Sequence, residues 1–92
     1  MDIQHKCALQ IIEAYSEALA THWGYDNSKE VSYMRWAVEE IRHIVESDLS
    51  TPPLIAIETF KDKVYARLYG DKHSVFKTAY DTARSIIDCF AG

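Results

Sequence analysis

A glutamate and a histidine three residues apart, Glu40 and His43, form the pattern in this sequence that most resembles a chemical site. In di-iron helical bundles, such a Glu-x-x-His pair on each of two helices supplies metal ligands, together with further inward-facing glutamates. This chain has no second Glu-x-x-His. In addition, both side chains lie about 100° or more around the helix from its apolar stripe. We therefore expect Glu40 and His43 to face solvent, and we predict no metal ligand and no cofactor.

The residues that serve most often in catalysis are scattered along the chain. His5, His22 and His73 have no second histidine or cysteine three or four residues away, and Cys7 falls on an apolar helix face, where a cysteine is usually a small buried hydrophobe. The sequence has no glycine-rich phosphate loop, no nucleophile elbow and no C-x-x-C motif. We therefore predict no catalytic residues and no enzymatic activity.

A tryptophan on the polar side of a helix is the most informative single residue. Trp36 falls almost opposite the apolar stripe of its helix, Tyr33 flanks it, and Glu40 and His43 share its side. One interpretation is structural, in which the preceding connection, with its Trp and Tyr, covers this face. The other is a binding surface, since Trp, Tyr and Arg are enriched at interface hot spots. The candidate interface is therefore Tyr33, Trp36, Glu40 and His43, and a symmetric homodimer is the default partner.

Composition and charge narrow the possible partners. The chain has 92 residues, a net charge of −4 and a pI of about 5.4, whereas nucleic acids and anionic membranes attract basic surfaces. No apolar run approaches the roughly 20 residues of a membrane span, and the first residues lack a basic stretch followed by an apolar one, so no signal peptide is expected. Cys7 and Cys89 are expected to be free thiols. We expect a cytoplasmic protein without membrane contact, for which nucleic acid is an improbable partner.

Glycine and proline fall only at boundaries, and the segments between them have helical periodicity. The pattern predicts a single helical domain with helices over about 3–23, 28–47, 52–69 and 75–90. The first apolar face includes Ile11, Tyr15 and Leu19. The others are listed in chain order: Val31, Met34, Val38, Ile41 and Val45; Ile57, Phe60, Val64 and Leu68; Phe76, Ala79, Ala83, Ile86, Ile87 and Phe90.

Local signals mark the helix ends. Gly24 is expected to end the first helix in a left-handed conformation with Tyr25 folded back over it. Asn27 is expected to cap the second helix, and Ser74 the fourth. The proline pair marks the start of the third helix, which is expected at Pro52 or at Pro53, because a residue before proline avoids helical geometry.

Four amphipathic helices with short connections predict an all-α fold, an up-down-up-down four-helix bundle. The alternative is two helical hairpins that complete their core in a dimer. For function, the sequence favours a small non-catalytic protein that acts through protein–protein interaction and associates with itself. Two alternatives stay open: a bundle that binds a metal or small molecule, and a nucleic-acid-linked regulator.

Overall fold

The computed structural model describes residues 3–47 and 50–91, with the backbone alone described for residues 87–91. Within these residues the chain forms four α-helices: α1 (Ile3–Trp23), α2 (Lys29–Ser47), α3 (Pro53–Tyr65) and α4 (Gly70–Ala91). The predicted all-α four-helix bundle is confirmed. None of the helices in the described part of the chain has the length and hydropathy needed to cross a membrane.

Helix α1 is the centre of the bundle and packs against each of the other three helices. In the up-down-up-down order, α2 and α4 run antiparallel to α1, and α3 runs parallel to it. Glu13 in the middle of α1 pairs with Arg42 late in α2, and the carbonyl of Trp23 at the end of α1 accepts a hydrogen bond from Arg35 early in α2. The carbonyl of α1's last residue is thus satisfied by a side chain from the neighbouring helix.

Helices α3 and α4 also run antiparallel and meet through long side chains. The hydroxyl of Tyr80 donates to Glu58 at 3.0 Å, and the hydroxyl of Tyr65 donates to the carbonyl of Phe76 at 3.2 Å. Lys61 lies over the ring of Tyr80, 3.9 Å from its centre. These contacts, together with those between α1 and α2, agree with the up-down-up-down order.

The core consists of the predicted apolar faces. Fully buried side chains come from all four helices: Ile11, Ile12, Tyr15, Val31, Met34, Val38, Val45, Ile57, Val64 and Phe76. Tyr15 is at its aromatic centre, with ring centres 4.8 Å from Phe76 and 5.1 Å from Phe60. Burial of these side chains is the main stabilising contribution, about 1.5–3 kcal/mol for each large apolar group.

The connection between α1 and α2 differs from its prediction in two details. Gly24 is not left-handed, and Tyr25 is fully exposed rather than folded back. Glycine is required there for space, because a Cβ atom would lie 2.6 Å from the carbonyl oxygen of Ala20. The N-terminal cap of α2 is Ser28 rather than the predicted Asn27. The hydroxyl of Ser28 accepts a hydrogen bond from the amide of Val31. The amide of Ser28 in turn donates to the carboxylate of Asp26 at 2.8 Å.

The proline pair is the start of α3, as predicted. Pro52 is the residue before the helix and is extended, with φ −57° and ψ 131°, and Pro53 is the first helical residue. The proline ring of Pro53 disfavours helical geometry at Pro52, which explains the choice between the two. The carbonyl of Pro52 then accepts the first helical hydrogen bond, from Ala56.

The boundary between α3 and α4 lies earlier than the sequence indicated. Helix α3 ends at Tyr65. The next two backbone hydrogen bonds reach back three residues instead of four: the amide of Arg67 donates to the carbonyl of Val64, and the amide of Leu68 donates to that of Tyr65. Helix α4 begins at Gly70, so Ser74 lies inside it and is not its cap. Helix α4 can begin this early because Gly70 adopts a φ of +57°, a left-handed conformation that turns the chain sharply at this residue.

One predicted core residue of α4 is exposed. Ile86 is 51% exposed, whereas Ala83, one turn earlier, is buried. Because α4 runs antiparallel to α1 with Phe76 beside Tyr15, Ile86 lies level with the first residues of α1, at the end of the bundle. The side chains of Ile87, Cys89 and Phe90 lie outside the described residues, and the side chain of Cys7 is a buried free thiol.

Candidate binding groove between helices α2 and α3

An apolar groove of about 250 Å³ runs between α2 and α3 on the outside of the bundle. Small side chains on both helices, Ala37 and Ala56, leave room between the helices at this level. The groove is lined from α2 by Tyr33, Trp36, Ala37, Glu40, Ile41 and Ile44, and from the other side by Thr51, Ala56, Thr59, Phe60, Lys63 and Val64. Its floor is therefore the edge of the core, and its rim is aromatic and charged.

Trp36 lies on the rim of this groove. It is 54% exposed, and the described ring nearest to it is that of Tyr33, with ring centres 6.0 Å apart. The connection before α2 does not cover it: Tyr25 projects into solvent, and Trp23 packs beside His22 at the end of α1. The structural interpretation of Trp36, as a residue hidden beneath this connection, is therefore wrong.

Two cations, one in α3 and one just after its end, approach the aromatic end of the groove. The Nζ atom of Lys63 lies 6.0 Å from the ring centre of Trp36, and the guanidinium carbon of Arg67 lies 5.4 Å from that of Tyr33. Cations over aromatic faces are attracted by about 0.5–1 kcal/mol at exposed sites. These contacts orient the two aromatic rings relative to α3 without closing the groove.

The four residues of the candidate interface are only partly brought together. Tyr33, Trp36 and Glu40 line the groove, whereas His43 does not. His43 is exposed one turn further along α2, where its Nδ1 atom lies 3.5 Å from the hydroxyl of Ser47. Glu40 is likewise exposed, so neither side chain points into the bundle.

The residues available for metal binding do not converge. Among the side chains that the structure describes, no group of three or more His, Cys, Asp and Glu residues could hold a metal ion. Glu40 and His43 have no third ligand beside them, whereas a protein metal site usually requires at least three protein ligands. The described part of the chain therefore contains no preformed site for the metal-binding alternative.

Tyr33 carries a buried polar atom with an unusual environment. Its hydroxyl is buried and makes no hydrogen bond with a described residue. A buried hydroxyl without a partner costs about 1–3 kcal/mol. The position of Tyr33 is therefore favoured by its ring contacts with Trp36 and Arg67 and not by its hydroxyl.

The sequence did not identify the α3 wall of the groove. The predicted interface contained no residue of α3, yet Phe60 and Lys63 both line the groove beside Trp36. The helical period of α3 places Thr59 and Lys63 outside its apolar face. It does not specify the rotation of α3 relative to α2, which decides that these two residues line the groove beside Trp36.

A second cavity, of about 350 Å³, lies between the end of α1 and the start of α4. Its lining is made of small or uncharged side chains apart from one histidine: Ala18, His22, Ser74, Val75, Thr78 and Ala79. These residues form no cluster of acids, bases or nucleophiles, so we assign no chemistry to it.

Comparison with known proteins provides no template for either cavity. No protein-family model, curated protein or solved structure matches this chain. Function must therefore be argued from the geometry of the chain itself.

Proposed function

We propose that this protein is non-catalytic and acts in the cytoplasm by binding another protein through the α2–α3 groove. The observation that supports this most directly is the position of Trp36, a half-exposed tryptophan on the rim of an apolar groove. Trp is among the residues that contribute most to binding energy when a partner covers them. Grooves between two helices are also a common receptor for an apolar helix face.

The size of the groove favours a side chain over a free ligand. Its volume of about 250 Å³ is below the roughly 300–1,000 Å³ of most small-molecule sites. A partner's aromatic or branched side chain fits this space, while the rest of the interface extends over the surrounding rim.

The test is a comparison of Trp36→Ala with a matched aromatic control. Tyr25→Ala is suitable because Tyr25 is fully exposed and lies in the α1–α2 connection, away from the groove. Wild type and both variants are immobilised and exposed to extract of the source cells, and the retained proteins, including further copies of this chain, are quantified. We expect at least one protein to be retained by wild type and Tyr25→Ala and lost with Trp36→Ala.

An identical set of retained proteins on all three surfaces would contradict the proposal. Circular dichroism of Trp36→Ala ensures that any loss reflects the surface and not the fold. Because Trp36 is half exposed, we expect the variant to retain its helix content.

A small apolar ligand is the second candidate, because the same groove is concave and largely apolar. Thermal unfolding in the presence of a panel of small aromatic compounds tests it, since a ligand that binds only the folded state raises the melting temperature. This candidate requires at least one compound to stabilise wild type but not Trp36→Ala.

A further inference from the structure

The groove carries one charge of each sign, on opposite walls. Glu40 projects from the α2 wall and Lys63 from the α3 wall, and both are exposed. Within the described residues, neither belongs to an ion pair; the pairs there join Arg42 with Glu13 and Glu39, Lys61 with Glu58, and Lys72 with Glu30. Both charges at the groove are thus available to a partner.

Such a pair of charges is self-complementary under two-fold symmetry. In a symmetric dimer the same surface is used by both copies, so any contact between residue i and residue j of the partner occurs twice. Glu40 of each copy can then meet Lys63 of the other, which makes two equivalent ion pairs. A purely anionic partner would be repelled by Glu40, and a purely cationic one by Lys63.

On this basis we propose that the partner is a second copy of this chain, with helix α2 of each copy lying in the α2–α3 groove of the other. The two α2 helices run antiparallel about a two-fold axis near Trp36 and Glu40. Trp36 seats in the groove of the other copy, and Glu40 pairs with Lys63 of the partner subunit. This inference rests on the proposed function, because it names the occupant of the same groove.

The rim provides apolar surface for this contact. Trp36 is 54% exposed on the α2 side, and Ile55, one turn before Thr59 on α3, is 58% exposed. An aromatic side chain buries about 150–250 Å² when covered, and stable interfaces bury about 800 Å² on each partner. Ile55 does not itself line the groove, so Trp36 and Ile55 supply only part of such an area, and the rest must come from the polar and charged residues around the groove.

Charge reversal tests the arrangement through mixing. Glu40→Lys places two lysines at each groove and Lys63→Glu places two glutamates, so each variant alone should repel its own copy. When the two variants are mixed, both cross-subunit contacts pair a lysine with a glutamate. Sedimentation velocity at low ionic strength, where charges are least screened, measures the dissociation constant in each case.

We expect each single variant to weaken self-association at least about tenfold, because like charges opposed across an interface are strongly unfavourable. We expect the mixture to form a heterodimer with an affinity within about threefold of wild type, since both attractive contacts are restored. Glu17→Lys and Lys77→Glu are the matched controls: both residues are exposed, on α1 and α4, and neither lines the groove. These controls should leave self-association unchanged, alone or mixed.

Two results would overturn the inference. One is wild type that remains monomeric up to a concentration of about 1 mM. The other is a mixture of Glu40→Lys and Lys63→Glu that associates no better than either variant alone. Either result leaves the proposed function standing if, in the capture experiment, wild type retains a different protein that Trp36→Ala does not retain. In that case only the choice of a second copy as partner fails.

Discussion

The hydroxyl oxygens of Tyr15 and Tyr65 lie 2.8 Å apart inside the bundle, although 50 residues separate the two in sequence. Tyr65 donates its only hydroxyl proton to the carbonyl oxygen of Phe76. Tyr15 must therefore be the donor in the bond between the two tyrosines. The result is a directed chain from α1 through α3 to α4, which fixes three helices at one level of the core.

This direction predicts unequal effects of removing the two hydroxyls. Tyr15→Phe removes one donated bond and leaves Tyr65 bonded to Phe76, so we expect a loss of about 1 kcal/mol of stability. Tyr65→Phe leaves the fully buried hydroxyl of Tyr15 without an acceptor, which should cost about 1–3 kcal/mol. The double variant should lose less stability than the two single losses added together, because it has no buried tyrosine hydroxyl left without an acceptor. Urea unfolding of the four proteins measures this; additive losses would contradict the directed chain.

Tyr33 is predicted to show the opposite behaviour. Its hydroxyl is buried without a partner, so Tyr33→Phe should leave stability unchanged or raise it by up to about 1 kcal/mol. The ring contacts with Trp36 and Arg67 are retained in this variant. Urea unfolding again gives the measurement, and Tyr15→Phe is the comparison. A clear loss of stability in Tyr33→Phe would mean that the hydroxyl has a partner in solution.

The buried tyrosines also predict a loss of stability in alkaline solution. Burial raises the pKa of Tyr65 to about 12. Burial, followed by the bond it donates to Tyr65, raises the pKa of Tyr15 further. An unfolded tyrosine loses its proton near pH 10, so above this pH the unfolded chain binds fewer protons than the folded chain. Stability therefore should be full below about pH 10 and fall as the pH rises toward about 12.

The measurement for this prediction is the free energy of unfolding from about pH 9 to about pH 11.5. The variant Tyr15→Phe/Tyr65→Phe is the control, because it lacks both groups and should show a shallower decline. If wild type and the double variant declined in parallel, the two tyrosines would not be the source of the pH dependence.

Aromatic residues of the core and the groove are predicted to differ in their effect on stability. Phe76 is fully buried against Tyr15 and Phe60, so Phe76→Ala should cost about 3–5 kcal/mol. Trp36→Ala should cost about 1 kcal/mol or less, because half of its side chain is already in water. Thermal and urea unfolding compare them, and Phe76→Leu gives an intermediate value if Phe76→Ala does not fold. Equal losses would show that Trp36 is a core residue in solution.

Two glycines are predicted to resist substitution for different reasons. Gly70 has a φ of +57° and open space around it, so Gly70→Ala should cost about 1–2 kcal/mol through the backbone alone. Gly70→Asn should cost less, because asparagine tolerates this conformation. At Gly24 the obstacle is the carbonyl of Ala20, so Asn should be no better than Ala there. Thermal unfolding of the four variants checks this, and an Asn advantage at both positions would contradict it.

The sequence alone determined the helices and their buried faces. Val31, Met34, Val38, Ile41 and Val45 repeat at the helical period, and all five are buried. The proline pair likewise placed the start of α3, because proline restricts the backbone of its own neighbours. These features depend on residues close in sequence, so a local pattern is sufficient to predict them.

The tertiary structure decided how those helices meet. The Tyr15–Tyr65 bond joins residues 50 positions apart, and Lys63 lies beside Trp36 only because α3 has one rotation relative to α2. The early start of α4 at Gly70 and the exposure of Ile86 also depend on where neighbouring helices begin and end. Helical periodicity specifies which face of each helix is apolar, but the position and rotation of one helix against another result from the packing of all their side chains together.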